Sequence, residues 1–154
     1  MSRPASSGVR FPPPLAYILG LALGITLSHF SPGPLLPAPA RWLVGTALVV
    51  AGLAFSLSAV VTFVRARTPV NPRSPTTKLV TSGPFALTRN PMYAGLAVAY
   101  LGGAALANSL WSVVLLLVVL VVIRRAVIER EERYLARAFG DEYAAYAARV
   151  RRWI

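Results

Sequence analysis

Between Arg41 and Arg65 the chain runs for 23 residues, Trp42–Val64, without one charged side chain. Such a stretch is suited to a lipid bilayer. About 20 apolar residues in a helix cross the hydrocarbon layer, where the backbone has only itself to bond to. Two more charge-free runs accompany it: residues 11–40, whose apolar part is about Leu15–Phe30, and the 34 residues Asn90–Ile123. As one helix the latter would measure about 51 Å against a hydrocarbon core of roughly 30 Å. The polar triplet Ala107-Asn108-Ser109 divides it into a hairpin. The chain therefore reads as an all-α integral membrane protein with about four transmembrane helices, near 15–30, 42–64, 91–106 and 110–126. It forms a single membrane domain over 1–154, with a loop over 65–90 and an amphipathic helical segment over 127–154.

Charge decides orientation. Only 14% of residues are charged, against about 25% in soluble domains. The net charge of +11 would suggest a nucleic-acid partner in a polar chain, but here the basic residues flank apolar runs, and the expected partner is the bilayer. Arg3 and Arg10 precede the first run, and the next connection holds Arg41 alone. The 65–89 connection holds Arg65, Arg67, Arg73, Lys78 and Arg89; the 107–109 turn has no basic residue; and eight follow from Arg124 onward. The basic segments alternate, which places both termini and the 65–90 loop in the cytoplasm. The competing reading of the N-terminus is a cleaved signal peptide, with Leu15–Leu27 as its apolar core and Ala38-Pro39-Ala40 as its cleavage site. The chain has no Cys and one His, so disulfides, thiolate catalysis and a Cys- or His-built metal site are not expected. No internal repeat is visible.

Two stretches carry candidate chemistry. The loop 66–93, ARTPVNPRSPTTKLVTSGPFALTRNPMY, holds five prolines, which favour an ordered, extended path. Ser82-Gly83-Pro84 reads as a turn. Pro91 suits the first turn of the third helix with Asn90 as its N-cap, and an exposed helix N-terminus can receive an anionic group. In the second stretch, Arg124 and Arg125 end the fourth span. Val127, Ile128, Leu135, Ala138 and Phe139 then trace an apolar face, and Gly140 terminates the helix. Asp141 can cap the next turn, in which Tyr143, Tyr146, Val150 and Trp153 recur on one side, a pattern that suits a helix lying at the membrane surface. Glu131 and Glu132 follow the basic boundary. Either they pair with nearby arginines, or one accepts hydrogen bonds from a ligand's hydroxyls; as neighbours on a helix they face about 100° apart.

Taken together, Gly-Pro-Phe at 83–85, Arg-x-Pro-x-Tyr-x-Gly at 89–95, Glu-Glu-x-x-Leu at 131–135 and Phe-Gly-x-Glu-Tyr at 139–143 resemble the isoprenylcysteine carboxyl methyltransferase family and the related phospholipid methyltransferases. The resemblance covers about residues 68–153, and the first two helices carry no signature. It implies S-adenosyl-L-methionine as methyl donor, bound at the cytoplasmic side without a dinucleotide fold, and a bacterial inner membrane as location. By the same resemblance the cofactor site takes in Thr77, Lys78, Leu79, Val80, Phe85, Asn90, Pro91, Met92 and Tyr93, closed by Glu131. Two positions depart from the family pattern. Asn90 stands where the family usually has His, and Val127 where prenylcysteine enzymes carry the Arg that meets the substrate carboxylate. The nearest basic residues are Arg124, Arg125 and Arg130, displaced on the helix, and Arg124 and Arg125 are the candidates to take that part.

Methyl transfer is an in-line displacement, and orientation alone can remove roughly 7–11 kcal/mol of a barrier. A carboxylate nucleophile needs no base, whereas an amine or alcohol does. The single histidine, His29, is expected at the opposite membrane face. Tyr93 and Glu132 are then the candidate catalytic side chains, and the acceptor is a lipophilic carboxylate, thiol or amine. The competing reading is a non-catalytic lipid-binding or transport accessory protein of the same fold.

Overall fold

A computed structural model describes residues 12–69 and 76–153. Its elements are α1 (Pro13–Phe30), α2 (Ala38–Arg65), a 3-10 turn (Gly83–Ala86), α3 (Pro91–Leu106), α4 (Leu110–Ile123), a π turn (Arg124–Ile128), α5 (Glu129–Phe139) and α6 (Asp141–Arg149). Among the described residues the protein is all-α. α1, α2 and the continuous run 110–139 are long and apolar enough to cross a membrane, and α3 is a shorter apolar helix. The expected sites at Arg3, Arg10, Pro72, Arg73 and Pro75 lie outside the described residues.

Proline starts several of these helices. α1, α2 and α3 each carry Pro at their first or second position, where its missing N–H is an orphan in any case. For this reason α2 begins at Ala38 rather than Trp42, and Ala38-Pro39-Ala40 forms its first turn. The hairpin breaks at 107–109. Asn108 takes a left-handed φ of 53°, and its Oδ1 accepts from the N–H groups of Leu35 and Leu36 at 2.7 and 2.9 Å. Ser109 caps α4 by accepting from the Ser112 N–H. The fourth span does not stop at 126. α4 passes through the π turn straight into α5, so one helical run carries the chain from the bilayer to Glu131. Gly140, at φ 51°, separates α5 from α6; Asp141 is the first residue of α6 and makes no side-chain cap.

Within the bundle, α2 lies along α3, α4 lies along α1, and α3 touches both α1 and α4. Two contacts are made by backbone rather than side chains. A Cβ added at Gly52 would sit 2.4 Å from the Ala99 nitrogen and 2.5 Å from the Gly95 oxygen. One added at Gly95 would sit 2.6 Å from the Gly52 oxygen, and one at Gly102 would meet the Gly45 oxygen at 2.7 Å. Gly45 and Gly52 stand seven residues apart, as do Gly95 and Gly102, so each pair keeps one face of its helix. Small residues bring membrane helices close where burial from water supplies no force. The α1–α4 contact is similar: Gly24 lies against the Ser112 backbone, and Ser28 and Ser109 share a hydrogen bond of 2.6 Å. Opposite these seams, Leu43, Leu53, Leu57, Leu117 and Val118 are all more than half exposed, as lipid-facing residues should be.

The Gly52 contact predicts a stability effect. In Gly52→Leu a side chain meets backbone on both sides and cannot move away, so the unfolding midpoint in detergent should fall by the equivalent of about 1–3 kcal/mol or more. Leu53→Ile, on the exposed side, should leave it unchanged.

Candidate functional site

At the end of the bundle where α2 stops and α3 begins, the turn Gly83–Ala86, α5 and α6 fold together around a cavity. Its apolar wall is formed by Phe63, Val80, Phe85, Met92 and Leu135, and its polar wall by Lys78, Arg89, Asn90, Tyr93, Glu131 and Glu132. It encloses about 100 Å³ and opens to solvent at its mouth. A drug-sized ligand needs roughly 300–1,000 Å³ and would fill the mouth as well as the enclosed end.

The central contact joins two segments far apart in sequence. The Tyr93 hydroxyl, in the first turn of α3, donates to Glu131 Oε1 on α5 at 2.8 Å. Tyr93 itself is anchored from α1, since the Tyr17 hydroxyl donates to the Tyr93 carbonyl at 3.0 Å. Glu131 lies beyond the apolar part of its helical run, among Glu129, Arg130, Glu132 and Arg133. Its own carboxyl is nonetheless half-buried. Burial pushes it up to about 7, the Tyr93 hydrogen bond pulls it down, and the nearby Glu132 charge adds to the rise. Glu131 Oε1 meets the Tyr93 hydroxyl, and the side chain forms part of the cavity wall.

Glu132 is differently occupied. It accepts from Arg152 Nε and Nη2 at 3.0 and 2.6 Å and pairs with Arg89 at 3.3 Å. As candidate bases the two neighbours thus differ: Glu131 is bonded to the Tyr93 hydroxyl in the cavity wall, and Glu132 is paired with two guanidinium groups. Asn90 occupies the N-cap position of α3 without capping it. Its Nδ2 donates instead to the Arg152 carbonyl at 3.0 Å, and that bond fixes the amide orientation and leaves Oδ1 as its remaining acceptor. Pro91 presents no N–H, so α3 has one orphan donor fewer for a cap to satisfy.

The residues singled out in the sequence divide as follows. Lys78, Leu79, Val80, Phe85, Asn90, Pro91, Met92, Tyr93, Glu131 and Glu132 all line the cavity. Thr77 lines a neighbouring polar depression with Ser82 and Glu142, and its hydroxyl lies 3.0 Å from that of Thr68. Arg124 and Arg125 are not brought to the cavity. Both are exposed, and Arg124 pairs with Glu129 at 3.3 Å. Val127 is fully buried in the helical core, so the position lost to arginine is a packing position. His29 lies at the far end of α1, bonded to the Ile25 carbonyl.

The period of Tyr143 and Tyr146 suggests a face resting on the membrane, but both are buried within the protein. The Tyr146 hydroxyl donates to the Phe85 carbonyl at 2.7 Å, and the Tyr143 hydroxyl accepts from Arg89 at 3.3 Å. An aromatic face of this period fits a lipid surface and a protein surface equally well. Tyr134, whose hydroxyl accepts from the Thr76 N–H, ties α5 to the proline-rich loop. Arg152 was one arginine among several.

The fold and site thus define a helical membrane protein with a cavity at one end, built from its loop and its post-membrane helices around a half-buried carboxylate. The profile of the phospholipid methyltransferase family matches residues 40–142, and the chain belongs to that family. It is 42% identical over 72 residues to the cobalt-zinc-cadmium resistance protein CzcN of Cupriavidus metallidurans, covering 47% of this chain and 33% of that protein. It is also 48% identical over 50 residues to an uncharacterized protein of Haemophilus influenzae, covering 32% of this chain and 76% of that one. The match thus spans a third of the CzcN protein's length. No solved structure matches the chain.

A titration tests the central contact. Tyr93→Phe removes the one neighbour that lowers the Glu131 carboxyl. A ¹³C NMR titration of Glu131 should show its midpoint moving further up.

Proposed function

We propose that the protein is an S-adenosylmethionine-dependent methyltransferase acting at the cytoplasmic face of a bacterial inner membrane, with a lipophilic carboxylate, thiol or amine as acceptor. The observation that carries this reading is the Tyr93–Glu131 pair. Two segments of a methyltransferase-family chain meet in one cavity wall, where a tyrosine hydroxyl holds a carboxylate against the cavity. The donor set suits the cofactor, which has hydroxyls and an ammonium group to donate and a flat base to cover. Glu131 would accept from the hydroxyls or the ammonium group. Phe85, Val80 and Met92 would cover apolar surface, and the backbone of 78–80 with Asn90–Tyr93 would line the remainder. The cofactor, when bound, supplies a methyl group activated on a sulfonium.

The remaining work falls to the chain's own side chains. The apolar wall excludes water. Tyr93 holds Glu131 in place, and Glu131 in turn fixes the ligand's orientation, the main source of rate in a displacement of this kind. Glu132 is held between Arg89 and Arg152, and His29 is at the other end of α1. An acceptor that has no proton to lose in the step fits this arrangement: a carboxylate, a thiolate or a neutral amine. α2 ends beside the cavity at Phe63, so a lipid-borne acceptor has a short path to it. The competing reading, a lipid-binding protein that keeps the fold without turnover, draws on Asn90 being engaged by Arg152 and on Val127 being core.

Calorimetry with S-adenosylhomocysteine on detergent-purified protein tests the assignment. Wild type should bind, and Glu131→Ala should bind at least about tenfold more weakly, the loss expected for one to two charge-assisted hydrogen bonds. A folded wild type that binds nothing would overturn the reading. Binding without methyl transfer to any lipid extract would favour the non-catalytic one.

The pH dependence has a definite sign. Since the folded protein holds the Glu131 proton up to about 7, the ligand meets a neutral acid below that pH and a carboxylate above it. Affinity should therefore strengthen as pH rises through about 7, and Glu131→Gln should flatten the profile. Stability moves the other way: from the ordinary carboxylate range up to about 7 the folded state binds this proton more tightly than the unfolded chain, so the contribution of Glu131 to stability falls as pH rises across that window.

A further inference from the structure

We propose that residues 150–153 form a strap that sets the geometry of the cavity, and that Arg152 is its positioning residue. The inference rests on the methyltransferase reading for its meaning, although its geometry stands apart from that reading. Arg152 makes two kinds of contact in opposite directions. Its guanidinium grips Glu132 on α5 through two bonds, 3.0 and 2.6 Å. Its carbonyl accepts from the Thr88 hydroxyl at 3.0 Å and from Asn90 Nδ2 at 3.0 Å, both at the start of α3. One residue earlier, the Arg151 carbonyl accepts from the Arg89 N–H at 2.9 Å.

The sequence neighbours of these partners give the strap its function. Glu132 is adjacent to Glu131, and Asn90 stands three residues, one helical turn, before Tyr93. The strap thus holds the sequence neighbour of Glu131 and the residue one turn before Tyr93, and it joins the direct Arg89–Glu132 pair in tying the start of α3 to α5. α3 and α5 belong to different parts of the fold; α3 is fixed by α2 and α5 by the π turn. Their relative position at the cavity is therefore set by the few bonds that cross it. Glu132 and Arg89 keep 16% of their side-chain surface exposed and Arg152 keeps 30%, so the pairing is screened less than a surface ion pair. The planar fork of arginine supplies two directed bonds where lysine would supply a point charge.

The test uses the full chain in detergent with Arg152→Ala, Arg152→Lys and, as a control, Arg149→Ala. Arg149 directs its Nε to the Ala145 carbonyl on its own helix. S-adenosylhomocysteine affinity should fall about tenfold in Arg152→Ala, by an intermediate factor in Arg152→Lys, and not at all in Arg149→Ala. Amide hydrogen exchange on the ligand-free protein is the second readout. Exchange at Arg89, whose N–H donates to the strap, should quicken in Arg152→Ala while the α2–α3 seam stays protected. An unchanged affinity with a lowered unfolding midpoint would make Arg152 a merely structural residue and overturn the proposal, as would unchanged exchange at Arg89. A wild type that binds no S-adenosylhomocysteine overturns the methyltransferase reading instead, and the strap is then decided by the exchange experiment alone.

Discussion

Where Gly52 and Gly95 meet, two helices touch backbone to backbone with no side chain between them. Everything at the cavity depends on that approach. α3 is only 16 residues long and carries Tyr93 in its first turn, so the depth and tilt at which α2 holds it fix where the hydroxyl points. Inside a bilayer no hydrophobic force distinguishes protein from lipid, and close packing of small residues must do what burial from water does elsewhere. The Gly45–Gly102 contact extends the seam, and the serine and glycine contacts between α1 and α4 hold the opposite side. α1 also reaches the site directly through Tyr17, whose hydroxyl meets the Tyr93 carbonyl.

A half-buried carboxylate at the end of such a bundle is costly unless it is bonded. The protein meets this cost unequally for two adjacent acids. Glu132 is surrounded by guanidinium groups and serves the architecture, whereas Glu131 accepts a phenolic hydrogen bond in the cavity wall. Two residues about 100° apart on a helix can have such different fates because one face of α5 looks into the cavity and the next looks at the 150–153 segment. The π turn sets that phase. It adds a residue to the turn between the apolar span and α5, so it decides which of the two acids faces inward.

Much of the site was legible in the sequence. Arg-x-Pro-x-Tyr-x-Gly and Glu-Glu-x-x-Leu name Tyr93 and Glu131, and both line the cavity. Other parts were not legible, for identifiable physical reasons. The aromatic face of α6 has the period of a helix resting on lipid, and only the folded chain shows that the face covers the 83–86 turn. Asn90 has the residue type and position of a helix cap, but the Arg152 carbonyl competes successfully for its amide. Arg124 and Arg125 stand close in sequence to the missing substrate arginine, but helical phase carries them outward. Arg152 was hidden in a run of arginines, where composition gives no means of choosing one.

The sequence by itself determined that this chain crosses a membrane as helices, because apolar runs uninterrupted by charge have no other stable environment and no other way to satisfy their backbone. It also determined where those helices start and break, because Pro, Asn and Ser act on the local backbone whatever surrounds them. Tertiary structure alone decided which acid faces the cavity, which arginine braces it, and which tyrosines turn inward. Those outcomes depend on the relative position of segments dozens of residues apart, and a few directed bonds and one glycine seam hold that position.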